Sequence, residues 1–464
     1  MSKKLAGNAL SIATADVGGR FFTFIANIHI ARVLMPENYG AVVIALSIMG
    51  YTQLFANLGL DTFGTREMAR DSANRPRAFG GILQLKVLLG LAVMLAAQAL
   101  LPLVSLEPGL VRLTRLYLLY LPVTALFLEW FFRGIRRYHP LTAARWLEGI
   151  FYAGLVFWWI RQPEDLLKTP LCLIAGHLMA VLFLQVYRAR FSEVRLSILP
   201  PGEIFALLSQ SIPIGLGNIF SQVVMLLPPI VIGLSMGQTP AGQFGAAFRL
   251  VMLAMVIDRV FVALFLPGLA RKWAEAPDQV RVPLERALRM IILLGGGLCL
   301  TLSVAAPLLI PFLYGPQYQA AIPLLMILSW FLMPTLLNSV FGFGLIAIGR
   351  EKHYFQAIIR GAALALGVIL AASYGKSLTL AAWGVVLGEV IIAYSTFRTF
   401  RQFLNPGFAK WLLAVAWGGG LALAGWWTID MLPTGSALLL PPVYLLGLLA
   451  SGALSLADIK GLFS

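Results

Sequence analysis

The chain has little of what a soluble enzyme or a metal-binding domain requires. Among its 464 residues only 12% are charged, only four are histidine and only two are cysteine. Cys172 and Cys299 both lie in apolar stretches, where they are best interpreted as small hydrophobic side chains and not as a disulfide or metal ligands. The sequence contains no G-x-x-x-x-G-K-[ST] loop, and no motif predicts a cofactor. These absences argue against a soluble catalytic domain.

Long apolar runs, in contrast, recur along nearly the whole chain. Apolar residues make up 59% of the sequence, against about 45–50% in a soluble domain. Crossing a hydrocarbon core about 30 Å thick takes roughly 20 apolar residues, which divides the chain into about fourteen spans. We therefore predict an all-α integral membrane protein with spans near residues 10–33, 40–60, 79–102, 114–133, 141–160, 171–188, 205–235, 243–267, 288–313, 322–348, 355–374, 379–397, 410–430 and 437–457.

Basic residues are distributed unequally between the loops of this arrangement. Most of the Lys and Arg outside the spans fall in one set of loops, such as those near residues 61–78 and 189–204. The positive-inside rule then places both termini in the cytoplasm. The same rule, together with attraction to anionic lipid headgroups, explains the net charge of +15. Membrane lipids are therefore expected partners, and nucleic acid is not.

The chain also resembles itself at long range. Tyr39-Gly40 and Phe244-Gly245 lie 205 residues apart, and each pair follows a proline near a break between two spans. Six spans separate the two points, and an even number per repeat predicts parallel copies related by an axis along the membrane normal. We predict one six-helix lobe at 1–195, a second at 196–403, and a peripheral pair, helices 13 and 14, at 404–464.

Several polar side chains lie deep inside the predicted spans. A charge at the bilayer centre costs roughly 2.5 to 3.5 kcal/mol, so such residues normally face a protein interior or a wet cavity. Lys86 is close enough to the boundary that its long stem also allows the ammonium to reach the interface. The residues predicted to bind an anionic substrate are Arg20, Lys86, Arg249, Arg259 and Asn27.

Span 1 has the most polar face. Residues 16, 20, 23 and 27 are Asp, Arg, Thr and Asn, and their spacings of 4, 3 and 4 place them on one side of a helix. This pattern favours the wall of a wet cavity. The alternative is a local ion pair between Asp16 and Arg20 that only helps to pack the helices.

Acidic residues inside the spans are candidates for coupling transport to an ion. Glu389 is the first choice because it has no charged neighbour within four residues and because desolvation favours its neutral form. The alternative is a hydrogen bond from Glu389 to a neighbouring helix. The predicted ion-coupling residues are Glu389, Asp16, Asp258 and Glu148.

A family resemblance lies in the segment between spans 2 and 3. Residues 58–70 read Leu-Gly-Leu-Asp-Thr-Phe-Gly-Thr-Arg-Glu-Met-Ala-Arg, after Ala-Arg-Val-Leu at 31–34 and Glu-Asn-Tyr-Gly at 37–40. This pattern closely resembles bacterial polysaccharide flippases of the Wzx or O-antigen type, in the multidrug/oligosaccharidyl-lipid/polysaccharide (MOP) exporter superfamily. Residues 312–318, Phe-Leu-Tyr-Gly-Pro-Gln-Tyr, resemble the loop before span 10 in that family. The resemblance extends over the full length.

The resemblance implies a V-shaped, MATE-like arrangement of two six-helix lobes and a transport function. It implies that the chain moves an undecaprenyl-pyrophosphate-linked oligosaccharide, an O-antigen or other repeat unit of lipopolysaccharide or surface polysaccharide, from the cytoplasmic to the periplasmic leaflet of the bacterial inner membrane. Alternating access around a cationic cavity is the implied mechanism. A polysaccharide polymerase is a further partner, and no enzyme activity is expected.

Two other functions fit a polytopic membrane protein. A MATE-like multidrug or cation antiporter would favour an acidic or aromatic cavity, and the excess of arginine within the spans argues against it. A membrane polysaccharide polymerase or ligase would bring a large extracytoplasmic loop with catalytic residues, and the loops here are short.

Overall fold

A computed structural model describes residues 3–70, 74–104, 106–191, 194, 197–258, 281–403 and 420. The side chains of 3–17, 20, 220–221, 281–283, 286, 293–294, 343 and 347 are not among the described ones. Across the described ranges the backbone is helical with short connections, and no β-strand occurs in them. The all-α prediction is confirmed.

Internal packing divides the chain into two compact units, 1–242 and 243–464. The sequence-based division at 195/196 and 403/404 stays a prediction, and helices 13 and 14 lie outside the described residues, which include only Gly420 of that segment. The helices of the first unit are α1 Lys3–Asn57, α2 Leu60–Arg70, α3 Arg75–Leu100, α4 Pro108–Leu118, α5 Tyr120–Ala125, α6 Glu129–Gly134, α7 His139–Trp159, α8 Lys168–Phe191, α9 Pro201–Ser221 and α10 Val223–Met236.

The second unit begins within a helix, α11 Gln238–Ala254. Its other described helices are α12 Arg281–Tyr314, α13 Ala321–Leu328, α14 Leu332–Ala347, α15 Glu351–Tyr374 and α16 Leu378–Phe400. Close packing of α15 on α16 depends on small residues, because a Cβ on Gly388 would stand 2.8 Å from the carbonyl oxygen of Gly361. Small residues at a helix contact let backbones approach closely, as is typical in membranes.

Nine helical segments in the described ranges are long and apolar enough to cross a membrane, and a tenth is the pair α9 and α10, which meet at a 62° bend. The count of fourteen stays a prediction. Predicted span 1 and most of predicted span 2 lie in α1, which is kinked at Met35 and ends at Asn57. The nine segments are Phe21–Arg70, Arg75–Leu103, Pro108–Gly134, Pro163–Phe191, Gln238–Asp258, Ala287–Tyr314, Ala321–Ile346, Glu351–Tyr374 and Leu378–Phe400.

The break between predicted spans 1 and 2 lies at Met35, where φ is 64° and ψ is 167°. Gly237, between α10 and α11, has nearly the same conformation, with φ of 104° and ψ of 178°. The two breaks are 202 residues apart. The repeat is therefore visible in the backbone, but the predicted pairing of Gly40 with Gly245 is wrong by three residues, and Gly242 is the equivalent of Gly40.

These equivalent positions touch each other in the first unit. A Cβ on Gly40 would overlap the carbonyl oxygen of Gln238, and a Cβ on Gly242 would overlap the carbonyl oxygen of Pro36. The contact is reciprocal, because Pro36 and Gln238 are also 202 residues apart. Backbone meets backbone on both sides, so only glycine fits at either position.

Helix α2 contains most of the segment that carries the family resemblance. It follows a turn at Leu58 and Gly59, where φ is 44° and 81°. The residues that α2 buries lie on one face and pack on α6, and a Cβ on Gly64 would stand 2.6 Å from the Trp130 ring. An aromatic cluster surrounds this contact: Phe63, Phe79, Phe127, Trp130, Phe131 and Phe132. The turn and the buried face together set the direction of Asp61.

Candidate functional site

Lys86 is buried and paired with an acidic residue. Only 6% of its side chain is exposed, and its Nζ donates to Asp61 Oδ1 at 2.5 Å. Lys86 is therefore not an isolated cation within the apolar helices, because Asp61 neutralises it. The partner comes from the first turn of α2, 25 residues away in the sequence, where the helix dipole favours a negative charge.

Asp61 has a second set of partners. Asn57, at the end of α1, donates from Nδ2 to Asp61 Oδ2 at 2.6 Å and accepts the backbone N–H of Asp61 on Oδ1 at 3.1 Å. The two hydrogen bonds close the turn between α1 and α2. One carboxylate oxygen of Asp61 thus faces Lys86 while the other is held by Asn57.

A small, partly open polar cavity lies beside this pair. Its polar lining comes from Gln53, Asn57, Asp61, Lys86 and Thr124, and its apolar lining from Ala56, Leu121 and Ala125. Gln53 Nε2 donates to Thr124 Oγ1 at 3.3 Å across the cavity wall. The cavity lies within the first unit, between α1, α3 and α5, at the end where α2 connects α1 to α3.

A second charged cluster joins α6, α7 and α8. Arg145 donates to Glu129 Oε2 at 2.5 Å and to Glu148 Oε2 at 3.1 Å, and Glu129 also pairs with Arg133. The Arg145 guanidinium lies 4.8 Å from the centre of the Phe127 ring. The pair of Glu129 with Arg133, four residues apart on α6, is thus one arm of a larger network in which two arginines face two carboxylates.

His177 ends this network inside the protein. Its Nδ1 lies 2.8 Å from Glu148 Oε1, and its ring packs between Tyr120 and Phe127 at centroid distances of 4.7 and 4.9 Å. The residue is 2% exposed, and no hydrogen bond reaches Nε2 among the described residues. Glu148 is therefore bound on both carboxylate oxygens, by a cation and by an imidazole.

The polar face of α1 is partly satisfied by its own helix. Thr23 Oγ1 donates to the carbonyl of Gly19 at 3.0 Å, and Asn27 Nδ2 donates to the carbonyl of Thr23 at 2.7 Å. Asn27 is buried, and its Oδ1 has no hydrogen-bond partner in the described part of the chain. Asp16 and Arg20 lie on α1, but their side chains are outside the described ones, so the predicted wet wall and the alternative ion pair stay predictions.

The second unit buries Glu389 beside polar groups of α14. Glu389 is 6% exposed, and its carboxyl lies near the side chains of Thr335 and Asn338. Asp258 also lies in this region, and its Oδ1 accepts from Ser339 Oγ at 2.5 Å. Both interpretations of Glu389, as an ion-coupling residue and as a hydrogen-bonding partner of a neighbouring helix, stay predictions. No cation pairs with Glu389 among the described residues.

The remaining predicted cations are less defined. Arg249 is partly buried on α11, and Arg259 lies outside the described residues, so their substrate-binding roles stay predictions. Within the described ranges, no three His, Cys, Asp or Glu side chains converge as metal ligands would.

The amino-acid sequence of the chain is similar to those of proteins of polysaccharide biosynthesis. A family model described as "Polysaccharide biosynthesis protein" matches residues 5–273, more than half of the chain. A protein of Escherichia coli strain K12 named "Putative O-antigen transporter" is 20% identical over 369 residues, which cover 77% of this chain and 87% of that protein.

Solved structures show the fold. The lipid II flippase MurJ in an inward closed conformation matches with a TM-score of 0.72 at 12% identity, over 96% of this chain and 99% of that one. An inward-facing multidrug resistance MATE family transporter matches with a TM-score of 0.68 at 17% identity, over 84% and 97%. A MOP superfamily transporter from Pyrococcus furiosus gives 0.63 at 16% identity, over 86% and 94%. The fold is that of MOP superfamily transporters.

Proposed function

The chain belongs to the polysaccharide biosynthesis protein family, and from that premise we propose that it is a flippase for lipid-linked oligosaccharides. The proposed substrate is an undecaprenyl-pyrophosphate-linked repeat unit of O-antigen or another surface polysaccharide, moved from the cytoplasmic to the periplasmic leaflet. The name of the Escherichia coli relative and the fold shared with a lipid II flippase support this proposal. The charges of the loops favour a bacterial inner membrane with both termini in the cytoplasm.

The observation that carries the proposal is a buried cation beside a polar cavity inside apolar helices. Lys86 lies within Arg75–Leu103, a span that is otherwise almost wholly apolar, and its ammonium lines the cavity. A pyrophosphate is multiply anionic and needs cations and hydrogen-bond donors in a site that the bilayer does not supply. The lipid tail can remain in the bilayer while this polar head passes along the protein.

The cavity lies at the end of the first unit where residues 58–78 connect α1 to α3. In the orientation favoured by the loop charges, this end faces the cytoplasm, where the substrate is loaded. Lys86 is therefore the proposed first contact for the pyrophosphate. The Arg145 network fits this role less well, because each guanidinium there already faces carboxylates.

We propose that two acidic positions couple transport to an ion. Glu389 lies in an oxygen-rich pocket with Thr335 and Asn338, and Glu148 is hydrogen-bonded to His177. A ligand shifts a conformational equilibrium only if it binds the two states differently, so a coupling carboxylate must change its protonation or occupancy between states. Asp258, near Glu389, is the proposed second oxygen donor in that pocket.

The test is flipping by the purified chain in proteoliposomes that contain a fluorescent lipid-linked oligosaccharide. Wild type should move the lipid to the opposite leaflet, and Lys86→Gln should lower the rate at least tenfold. Lys168→Gln is the matched control and should flip like wild type, because Lys168 is a partly exposed lysine that also pairs with an aspartate, Asp165, at 2.6 Å but lies away from the cavity. Absence of flipping by wild type would contradict the proposed function, whereas equal rates in all three proteins would remove Lys86 from the path of the substrate.

A further inference from the structure

The ion pair between Lys86 and Asp61 is asymmetric in exposure. The lysine side chain is 6% exposed, whereas the aspartate side chain is 47% exposed. A ligand can therefore reach Lys86 only through the cavity, and Asp61 lies on the more exposed side of the ion pair. A buried charge without a partner is strongly unfavourable, so any process that moves Asp61 away must bring another anion to Lys86.

The two partners also differ in the stabilising interactions that each would keep if the ion pair separated. Asp61 would keep the hydrogen bond from Asn57 and its position in the first turn of α2, and both stabilise a carboxylate. Lys86 donates to Asp61 alone within the described part of the chain. Asp61 can thus leave at small cost, provided that a replacement anion arrives.

The cavity supplies the other groups that a phosphate or sugar needs. Gln53 and Asn57 carry amides and Thr124 carries a hydroxyl, and all three line it beside Lys86. The cavity is a partly open cleft, so a phosphate group can approach these side chains from its open side.

We propose that Asp61 is a resident counter-ion of Lys86 that the pyrophosphate of the substrate displaces. The inference rests on the proposed function and adds a loading step to it: the substrate takes the place of Asp61, and Asp61 returns when the substrate leaves. Lys86 is paired throughout, so neither loading nor release exposes a bare charge to the apolar interior. Asp61 accordingly competes with the substrate.

The experiment measures binding of inorganic pyrophosphate to the full chain in detergent by calorimetry. Asp61→Asn removes the competitor while keeping a side chain that Asn57 can bond, so its affinity for pyrophosphate should rise at least tenfold over wild type. Lys86→Gln should lose binding. Glu203→Gln, which removes the carboxylate of the exposed pair with Arg77, is the matched control and should bind like wild type. Unchanged or weaker binding by a folded Asp61→Asn would overturn the proposal.

If Asp61→Asn does not fold, the double variant Asp61→Asn/Lys86→Gln is used in its place to test the proposal. It replaces the ion pair with two neutral, hydrogen-bonding side chains, so it should fold, fail to bind pyrophosphate and fail to flip the lipid-linked oligosaccharide. A double variant that flips like wild type would show that the pair is structural and would leave the proposed function intact. Wild type that flips no lipid would instead refute the proposed function.

Discussion

The reciprocal contact of Gly40 and Gly242 makes a sharp prediction for Gly40→Ala. The added Cβ would stand 2.6 Å from the carbonyl carbon of Gln238 and 2.9 Å from the nitrogen of Gly242. Comfortable separations of such atoms are about 3.5 to 4.0 Å, so the two segments must part by about 1 Å. No side chain can move to make room, because the atoms opposite belong to the backbone.

Overpacking of this kind costs about 1 to 3 kcal/mol. A conformation in which the contact is closed should therefore lose population by about 5- to 150-fold relative to one in which it is open. Gly242→Ala should have a similar effect, because it meets the carbonyl of Pro36 in the same way. The double variant should cost less than the sum, since one separation relieves both clashes.

Spin labels on Glu37→Cys and Thr239→Cys would report the separation, because both positions are exposed and next to the contact. The two native cysteines are buried and should not be labelled. Gly40→Ala should lengthen or broaden the measured distance and lower the thermal midpoint. Gly154→Ala is the control, because a Cβ there meets nothing within 4 Å. If Gly40→Ala behaved like this control, the contact would not be as close as the backbone indicates.

Three further predictions address other parts of the chain. Glu389→Gln should abolish the dependence of flipping on an imposed proton or sodium gradient; equal dependence in the variant and wild type would remove Glu389 from coupling. Arg20→Ala should abolish surface polysaccharide at normal protein level, and Arg20→Lys should restore it only in part because the planar fork is lost; normal export by the alanine variant would make Arg20 a packing residue. Gly64→Ala should destabilise the chain by about 1 to 3 kcal/mol in thermal unfolding, since its Cβ would press on the rigid Trp130 ring; a wild-type midpoint would contradict the close packing of α2 on α6.

The sequence identifies helices well because each span needs a run of apolar residues that few other structures require. It also places Lys86 correctly within a span. It misses the pairing with Asp61, because that contact depends on the positive φ at Leu58 and Gly59, which folds α2 back beside α3. Periodicity within one helix contains no information about such a reversal.

The Arg145 network shows the same limit. The spacing of Glu129 and Arg133 reveals one pair, because residues four apart on a helix are neighbours. Arg145 lies near the start of predicted span 141–160 with no acidic residue four positions away, but α7 brings it against Glu129, 16 residues away. His177 joins from α8. Contacts between helices follow from packing, which a single sequence does not specify.

The repeat was detectable, but its register was not. Matching the letters Tyr-Gly and Phe-Gly gave 205 residues, whereas the shared backbone break at Met35 and Gly237 gives 202. The physical requirement at the break is a positive φ, which glycine meets freely and methionine meets at a cost. A search for identical residues therefore misses the equivalence of Met35 and Gly237, because two different residues adopt the same backbone conformation.

The contact between residues 36–40 and 238–242 also bears on how a duplicated chain arises. In each copy a glycine packs against a carbonyl of the other copy. Two identical chains related by a two-fold axis make contacts of this reciprocal form. A protein with a single copy would satisfy it by forming a homodimer, and joining the two genes would preserve it without inventing a new interface. After fusion the two copies are free to diverge. The equivalent positions Met35 and Gly237 show such a difference. Both have a positive φ, which is strained for methionine and unstrained for glycine.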